Sequence, residues 1–174
     1  AMLALIQYQS SAEALQQIVF WSMGSLTRAN WAANGVLAAV LIIALPILWA
    51  LGWRLTALRL GDARATAMGI NTSRLRVVVL IVVSLVAATT VAFAGIIGFI
   101  GLVGPHIARM LVGEDQRYFL PASMAAGAAV MCAAHAVSLM IKPGLAIPIG
   151  IVTSLLGVPF FIAIVMTRRR ALWT

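Results

Sequence analysis

From Val36 to Met166 the chain is almost continuously apolar, and its charges fall in clumps between apolar runs. Runs of this kind, ended by arginines and tryptophans, predict membrane-crossing helices of about 20 residues each. Residues 36–53 form the first expected span, with Pro46 expected to kink it and Trp49 and Trp53 to anchor its far end. Residues 77–94 form the second. It flows without a hydrophilic break into 95–107, where Gly95, Gly98, Gly101 and Gly104 recur every third residue. That run predicts a turn at 94–98 and a short third span ending at Pro105 and His106. Residues 121–141 form the fourth span and 147–166 the fifth, separated by a turn at Lys142, Pro143 and Gly144.

The polar intervals predict shorter elements. Ser10 or Ser11 is placed to cap a helix from Ala12, and 13–26, with Gln16, Gln17 and Trp21, has an interfacial composition. Arg28, Asn30 and Trp31 make a rim of the kind found at headgroup level. The interval 54–76 is the one substantial polar loop, carrying Arg54, Arg59, Arg64, Arg74 and Arg76 against Asp62 alone. Within it, residues 61–69 predict a short helix with Asp62 as N-cap and Gly69 in the left-handed position after its end. Asn71 or Thr72 then caps the next helix. Arg109, Glu114, Asp115 and Arg117 define a second polar loop. In the fourth span Ala125, Ala129 and Ala133 share one face, a small-residue stripe suited to tight helix packing.

Composition fixes the solvent. Apolar residues make up 63% of the 174 and charged residues 9%, against roughly 25% charged in a soluble domain. The expected fold is therefore all-α: a polytopic transmembrane bundle of about five spans, with a short interfacial helix and a short cytoplasmic helix. The net charge of +8 comes almost wholly from arginine at the ends of apolar runs. This is the footprint of anionic lipid headgroups rather than of nucleic acid. With 54–76 on the cytoplasmic side, strict alternation brings Arg109, Arg117 and Arg168 to Arg170 to the same side. Arg28 and Lys142 are left outside. The opposite orientation would violate the positive-inside bias.

Little here reads as catalysis. The only lysine is Lys142, so there is no Walker A motif, and no span holds a paired carboxylate, an HExxH or a Gly-x-Ser-x-Gly elbow. The single cysteine, Cys132, reads as a small buried residue and not a metal ligand. His106, with Pro105 before it and Arg109 a turn on, suits either a proton relay or a helix-end residue bonding carbonyls freed by the proline, the second being the simpler. His135 lies within the fourth span, as an ionisable site or a neutral packing residue. Gly150, Thr153, Ser154 and Gly157 share a face of the last span, fit for helix packing or for a hydroxyl-dotted translocation path. The short helix 62–68 has the form of a docking element for a soluble partner, or of an amphipathic piece resting on headgroups.

Four blocks carry a resemblance. GIIGFIGLVGPHIARMLVGEDQRYFLPASMAAGA from Gly95 and PIGIVTSLLGVPFF from Pro148 resemble the FecCD-type permeases of ABC importers for iron–siderophores, haem and vitamin B12. FWSMGSLTRANW from Phe20 and LRLGDARATAMGIN from Leu58 are similar to the same family, in the same order. The resemblance covers nearly the whole chain and implies a permease domain over 1–174, the C-terminal half of a longer subunit, with residues 1–6 as the tail of an earlier helix. It implies a second permease subunit or half around a central path, cytoplasmic ATPase subunits, and an extracytoplasmic substrate-binding protein. It implies no enzyme activity and no cofactor in this chain, ATP and Mg being held by the partner. It implies a multi-pass protein of the bacterial inner membrane, working by alternating access, with a ferric chelate as cargo or else haem, vitamin B12 or an oxyanion. It assigns 54–76 as the coupling loop, with Leu60, Gly61, Asp62, Ala63, Arg64, Met68 and Gly69 meeting the ATPase. Arg28 and Lys142 would meet the binding protein. The chain departs from the family at His135 and Ala146, where an acidic residue is common, and at Ser138-Leu139, where an Arg is common. An ATPase-independent secondary transporter or channel is the rival of another class. It would need intramembrane charges where only two histidines stand.

Overall fold

The computed structural model describes residues 2–141 and 147–170, and among these all regular structure is helical. The helices are α1 (Met2–Gln9), α2 (Ala12–Ser22), α3 (Trp31–Ala50), α4 (Gly52–Leu58), α5 (Asp62–Ala67), α6 (Thr72–Ala94), α7 (Ile100–Val112), α8 (Gln116–Ile141) and α9 (Ile149–Arg170). Helices α3, α6 and α8 are long and apolar enough to cross a membrane, and α7 and Ile149–Ile164 of α9 are shorter apolar helices. These are the five apolar segments expected from sequence. The 13 residues of α7 rise only about 20 Å, short of the roughly 30 Å of hydrocarbon.

Side-chain caps set where several helices begin. Ser11 Oγ accepts from the Ala14 N–H at 3.4 Å, as expected. Asn30 Oδ1 accepts from the Ala33 N–H at 2.8 Å. This cap starts α3 at Trp31, five residues before the expected span, and α3 runs through Pro46 to Ala50. The polar loop is correspondingly narrower, because α4 occupies its first part with Leu55, Ala57 and Leu58 turned toward apolar neighbours. Pro105 and His106 do not end a span: they lie within α7, which continues to Val112 and carries Arg109 in its last turn. The proline ring crowds the carbonyl four residues upstream, and that residue is Gly101, whose backbone has the most freedom to adapt. The second polar loop shrinks to Gly113, Glu114 and Asp115, since Arg117 is already on α8.

The chain divides into two compact units. In the unit comprising Ala29–Phe93 and Gly101–Val130, Ala57, Ala65, Ile70 and Leu75 form a buried cluster with Leu51, Leu55, Leu58 and Val79 against it. There Gly104 meets Gly127: a Cβ on Gly104 would stand 3.1 Å from the Gly127 Cα. The other unit comprises Ala1–Arg28, Ala94–Ile100 and Met131–Thr174. Its buried cluster is Ala134, Ile149 and Val152, flanked by Leu26, Ile97, Met131 and Ile147.

Two packing expectations are corrected. Ala125, Ala129 and Ala133 are exposed, while Gly127, Ala134 and Ser138 are among the residues through which α8 packs. Cys132, next to Ala133 on the same open side, is also exposed. The error is one of phase: α8 is rich in small residues all round, so spacing identifies candidate faces without selecting one. Large apolar residues are exposed along all the long helices, among them Ile42, Leu80 and Leu155. Such faces suit a hydrocarbon solvent.

Candidate functional site

The loop 54–76 closes into a compact knuckle. Gly61, at φ +96°, is the residue preceding α5, and its carbonyl accepts from the Ala65 N–H at 3.0 Å. Asp62 is therefore not the N-cap expected from sequence. It is the first residue of α5, and its Oδ1 accepts from Arg76 Nη2 at 2.7 Å. A carboxylate there still complements the helix dipole. Gly69, at φ +78°, takes the left-handed position as expected. The Gly69 N–H donates to the Thr66 carbonyl at 2.9 Å, and the Ile70 N–H to the Ala65 carbonyl at 3.1 Å. These two bonds complete a Schellman motif, and the Ile70 and Ala65 side chains supply its apolar contact. Asn71 Oδ1 then accepts from the Arg74 N–H at 2.9 Å and starts α6.

The knuckle has two unlike faces. Ala65 is fully buried and Ile70 nearly so, against α4 and the start of α6. Opposite them, Leu60 is 56% and Met68 47% exposed, with Ala63 and Arg64 also exposed between them. Six residues of helix cannot hold this shape alone. The turn bonds and the apolar backing hold it, and they leave a protruding surface of two apolar side chains beside an arginine.

A second structure braces the knuckle from behind. Arg59, just after α4, donates from Nη1 to the Glu114 carbonyl at 3.2 Å and pairs through Nη2 with Glu114 Oε2. Arg109 of α7 reaches the other carboxylate oxygen, Nε to Oε1 at 3.4 Å. Thr56 Oγ1 accepts from the N–H of Gln116, the first residue of α8, at 3.2 Å. Arg109, expected as part of a boundary motif with Pro105 and His106, thus pairs with Glu114. His106 is half-buried on α7 in the same unit.

In the other unit, Gly150, Thr153, Ser154 and Gly157 have separable environments. A Cβ on Gly150 would collide with the Met23 carbonyl, and one on Gly157 with the Phe99 side chain. Thr153 is buried, and its hydroxyl donates within α9 to the Gly150 carbonyl at 3.2 Å. These three pack. Ser154 and the packed Gly150 also line, with Ser22, Met23, Ile96 and Leu155, an open, largely apolar pocket of about 770 Å³. The N-terminus of α9 is satisfied by backbone, the Ile149 and Gly150 N–H groups donating to the Gly24 and Met23 carbonyls at 3.1 and 3.0 Å. Ser138 Oγ donates to the Ile147 carbonyl at 2.6 Å.

The sequence reading gave no place to Gly24 or Phe99, and it read Glu114 only as part of a polar loop and Ser138 only as a departure from the family. Gly24 has φ +72° and no room for a Cβ, which would lie 2.8 Å from the Ile96 carbonyl. The Met23-Gly24-Ser25 step between an interfacial helix and a polar rim was the available signal. Phe99 at φ +66° is a strained non-glycine position that local sequence does not announce. Arg28 is exposed. Lys142, Pro143, Gly144 and Ala146 lie outside the described residues.

The fold and the knuckle define a multi-pass helical membrane protein with a polar-end protrusion. Residues 1–167 match the family model described as the FecCD transport family, and the chain belongs to that family. It is 36% identical over 170 residues to the hemin transport system permease protein of Yersinia pestis, covering 97% of this chain and 51% of that protein. It is 37% identical over 171 residues to the molybdate import system permease protein of Haemophilus influenzae, covering 98% and 50%. A solved structure described as an inward-facing conformation of a metal-chelate type ABC transporter superposes with a TM-score of 0.89 at 37% identity, covering 94% of this chain and 53% of that one. The chain thus spans about half the length of the relatives it matches.

Proposed function

We propose that the chain is the C-terminal half of an ABC importer permease of the bacterial inner membrane, with the knuckle at 54–76 as its coupling loop. The observation that carries this reading is the build of α5: buried through Ala65 and Ile70, closed by Gly61 and Gly69, and exposing Leu60, Ala63, Arg64 and Met68. A compact knuckle with an apolar tip is suited to seat in a groove of a soluble partner and to pass force in either direction. The partner is an ATPase subunit holding ATP and Mg. An extracytoplasmic binding protein delivers cargo near Arg28 and Lys142, and a second permease subunit or half completes the path. Transport proceeds by alternating access, driven by the different contacts the ATPase makes with the loop in its two nucleotide states.

The cargo we favour is a ferric chelate. The metal-chelate description of the structural relative and the hemin description of the Yersinia pestis permease support it. A broad apolar cavity with sparse hydroxyls from Ser22 and Ser154 also suits a bulky chelate better than a bare ion. The molybdate description of the Haemophilus influenzae relative supports an oxyanion as the second reading. The test is reconstitution of the full-length permease with its ATPase and binding protein in liposomes. Capture of the ATPase and hydrolysis stimulated by ferric chelate, and not by molybdate, are expected. Loss of ATPase capture would overturn the function, and stimulation by molybdate alone would overturn the cargo.

A further inference from the structure

Glu114 lies outside every candidate site read from sequence, yet it links Arg59, just after α4, to Arg109 of α7. It sits in the three-residue turn between α7 and α8. One carboxylate oxygen pairs with Arg59, which also donates to the Glu114 carbonyl, and the other faces Arg109 of α7. Arg109 in turn lies over the Phe119 ring of α8, 5.8 Å from its centroid. One turn before Arg59, Thr56 accepts from the first N–H of α8. Arg59 lies in the N-terminal part of the knuckle, two residues before Gly61, the N-cap of α5. A displacement of the knuckle at its N-terminal side therefore meets, through Glu114, the ends of two further helices.

We propose that Glu114 is a positioning residue for coupling, a strut that ties the knuckle to α7 and α8 so that the three move together. The proposal rests on the reading of 54–76 as a coupling loop and adds to it the route by which movement leaves that loop. Stability alone is a poor reason for the arrangement. The carboxylate and both guanidinium groups are 40% to 46% exposed, and exposed pairs contribute little to folding. What the arrangement supplies is geometry. A guanidinium fork that grips both the side chain and the main chain of one residue fixes distance and angle, as a single point charge does not. The two polar intervals also carry Arg54, Arg64, Arg74, Arg76 and Arg117 against Asp62 and Asp115, and Asp62 is held by Arg76.

The test uses the full-length transporter in liposomes, with cargo moved per ATP hydrolysed as the readout and ATPase capture measured alongside. Glu114→Ala and Glu114→Gln are expected to keep ATPase capture and to lower cargo per ATP by about two- to thirtyfold, the range for single links in a coupling network. Glu114→Gln keeps the side-chain shape, so a folding defect confined to the alanine variant does not decide the outcome. The double change Arg59→Ala, Glu114→Ala is expected to lose no more than Glu114→Ala alone, because the two act as one link. Unchanged cargo per ATP in both single variants overturns the strut, as do additive losses in the double variant. Loss of ATPase capture in the Glu114 variants also overturns it, making Glu114 a docking contact. Failure of the unaltered protein to capture ATPase would instead overturn the coupling-loop reading itself.

Discussion

Asp62 and Arg76 stand 2.7 Å apart across the closed end of the knuckle, one opening α5 and the other in the second turn of α6. Both side chains are more than half exposed. The pair therefore holds two helix starts together in water, where screening is strong. Because Gly61 and not Asp62 is the N-cap residue, the cost of losing a cap does not apply. Asp62→Ala should lower stability by less than about 1 kcal/mol, the range for an exposed pair, and the loss should shrink as salt rises. Denaturation of the detergent-solubilised protein at two ionic strengths checks this, and a salt-independent loss well above that range would return Asp62 to a capping role.

Gly69 carries more of the knuckle than Asp62 does. It sits at φ +78° with open space where a Cβ would stand, so substitution meets conformational strain without collision. Gly69→Ala should cost roughly 1–2 kcal/mol locally, and Gly69→Asn less, since asparagine tolerates the left-handed region. Hydrogen exchange of the Ile70 amide, which donates to Ala65, should speed up in the order Gly, Asn, Ala. Equal exchange in all three would show that the Schellman turn does not hold the knuckle.

The apolar segments, the polar intervals and the glycine that closes α5 were legible because each rests on local chemistry, whereas the N-cap of α5 fell one residue earlier than expected, at Gly61. An apolar run of span length, an Asn or Ser before a helix, and a glycine after one act within a few residues. What stayed hidden was phase and distance. Nothing in the spacing of Ala125, Ala129 and Ala133 tells which side of α8 meets a neighbour, and the answer came from Gly104 lying against Gly127. Glu114 and Arg59 are 55 residues apart, and charge composition alone assigns both to headgroups. Pro105 looked like a helix end because proline usually is one, and only α7 continuing to Val112 shows otherwise.

Gly150 and Gly98 provide a matched pair in one unit. A Cβ on Gly150 would run into the Met23 carbonyl, a backbone atom that cannot rotate away, whereas one on Gly98 would rest 3.9 Å from Ser154 Oγ. Gly150→Ala should destabilise by about 1–3 kcal/mol through overpacking, and Gly98→Ala should be nearly neutral. Thermal unfolding of the two variants separates them. Equal melting temperatures would mean that the Met23–Gly150 approach is not tight in the folded protein.

Orientation is open to direct labelling. Under the proposed topology Thr66, exposed on the knuckle, is cytoplasmic. In a Cys132→Ala background, Thr66→Cys should resist a membrane-impermeant thiol reagent added to intact spheroplasts and react once the membrane is opened. Lys142→Cys should react without opening. Labelling of Thr66→Cys from outside would invert the topology and remove the loop from reach of an ATPase.

Arg28 and Lys142 are the two cations assigned to the outer side, and they test the remaining partner. Arg28 is exposed in the segment before Asn30 caps α3, three residues from Trp31 on the rim. A cation at such a rim satisfies its charge by snorkelling to headgroups, or it steers an acidic partner, which shows as an association rate that falls as salt rises. Arg28→Glu and Lys142→Glu should each slow binding-protein association to the full-length permease in nanodiscs, and the slowing should be larger at low salt than at high. The dissociation rate should change less, because rim charges act on encounter more than on residence. Association rates unchanged by both reversals at both salt concentrations would assign the two cations to the headgroups and leave the docking of the binding protein to other residues.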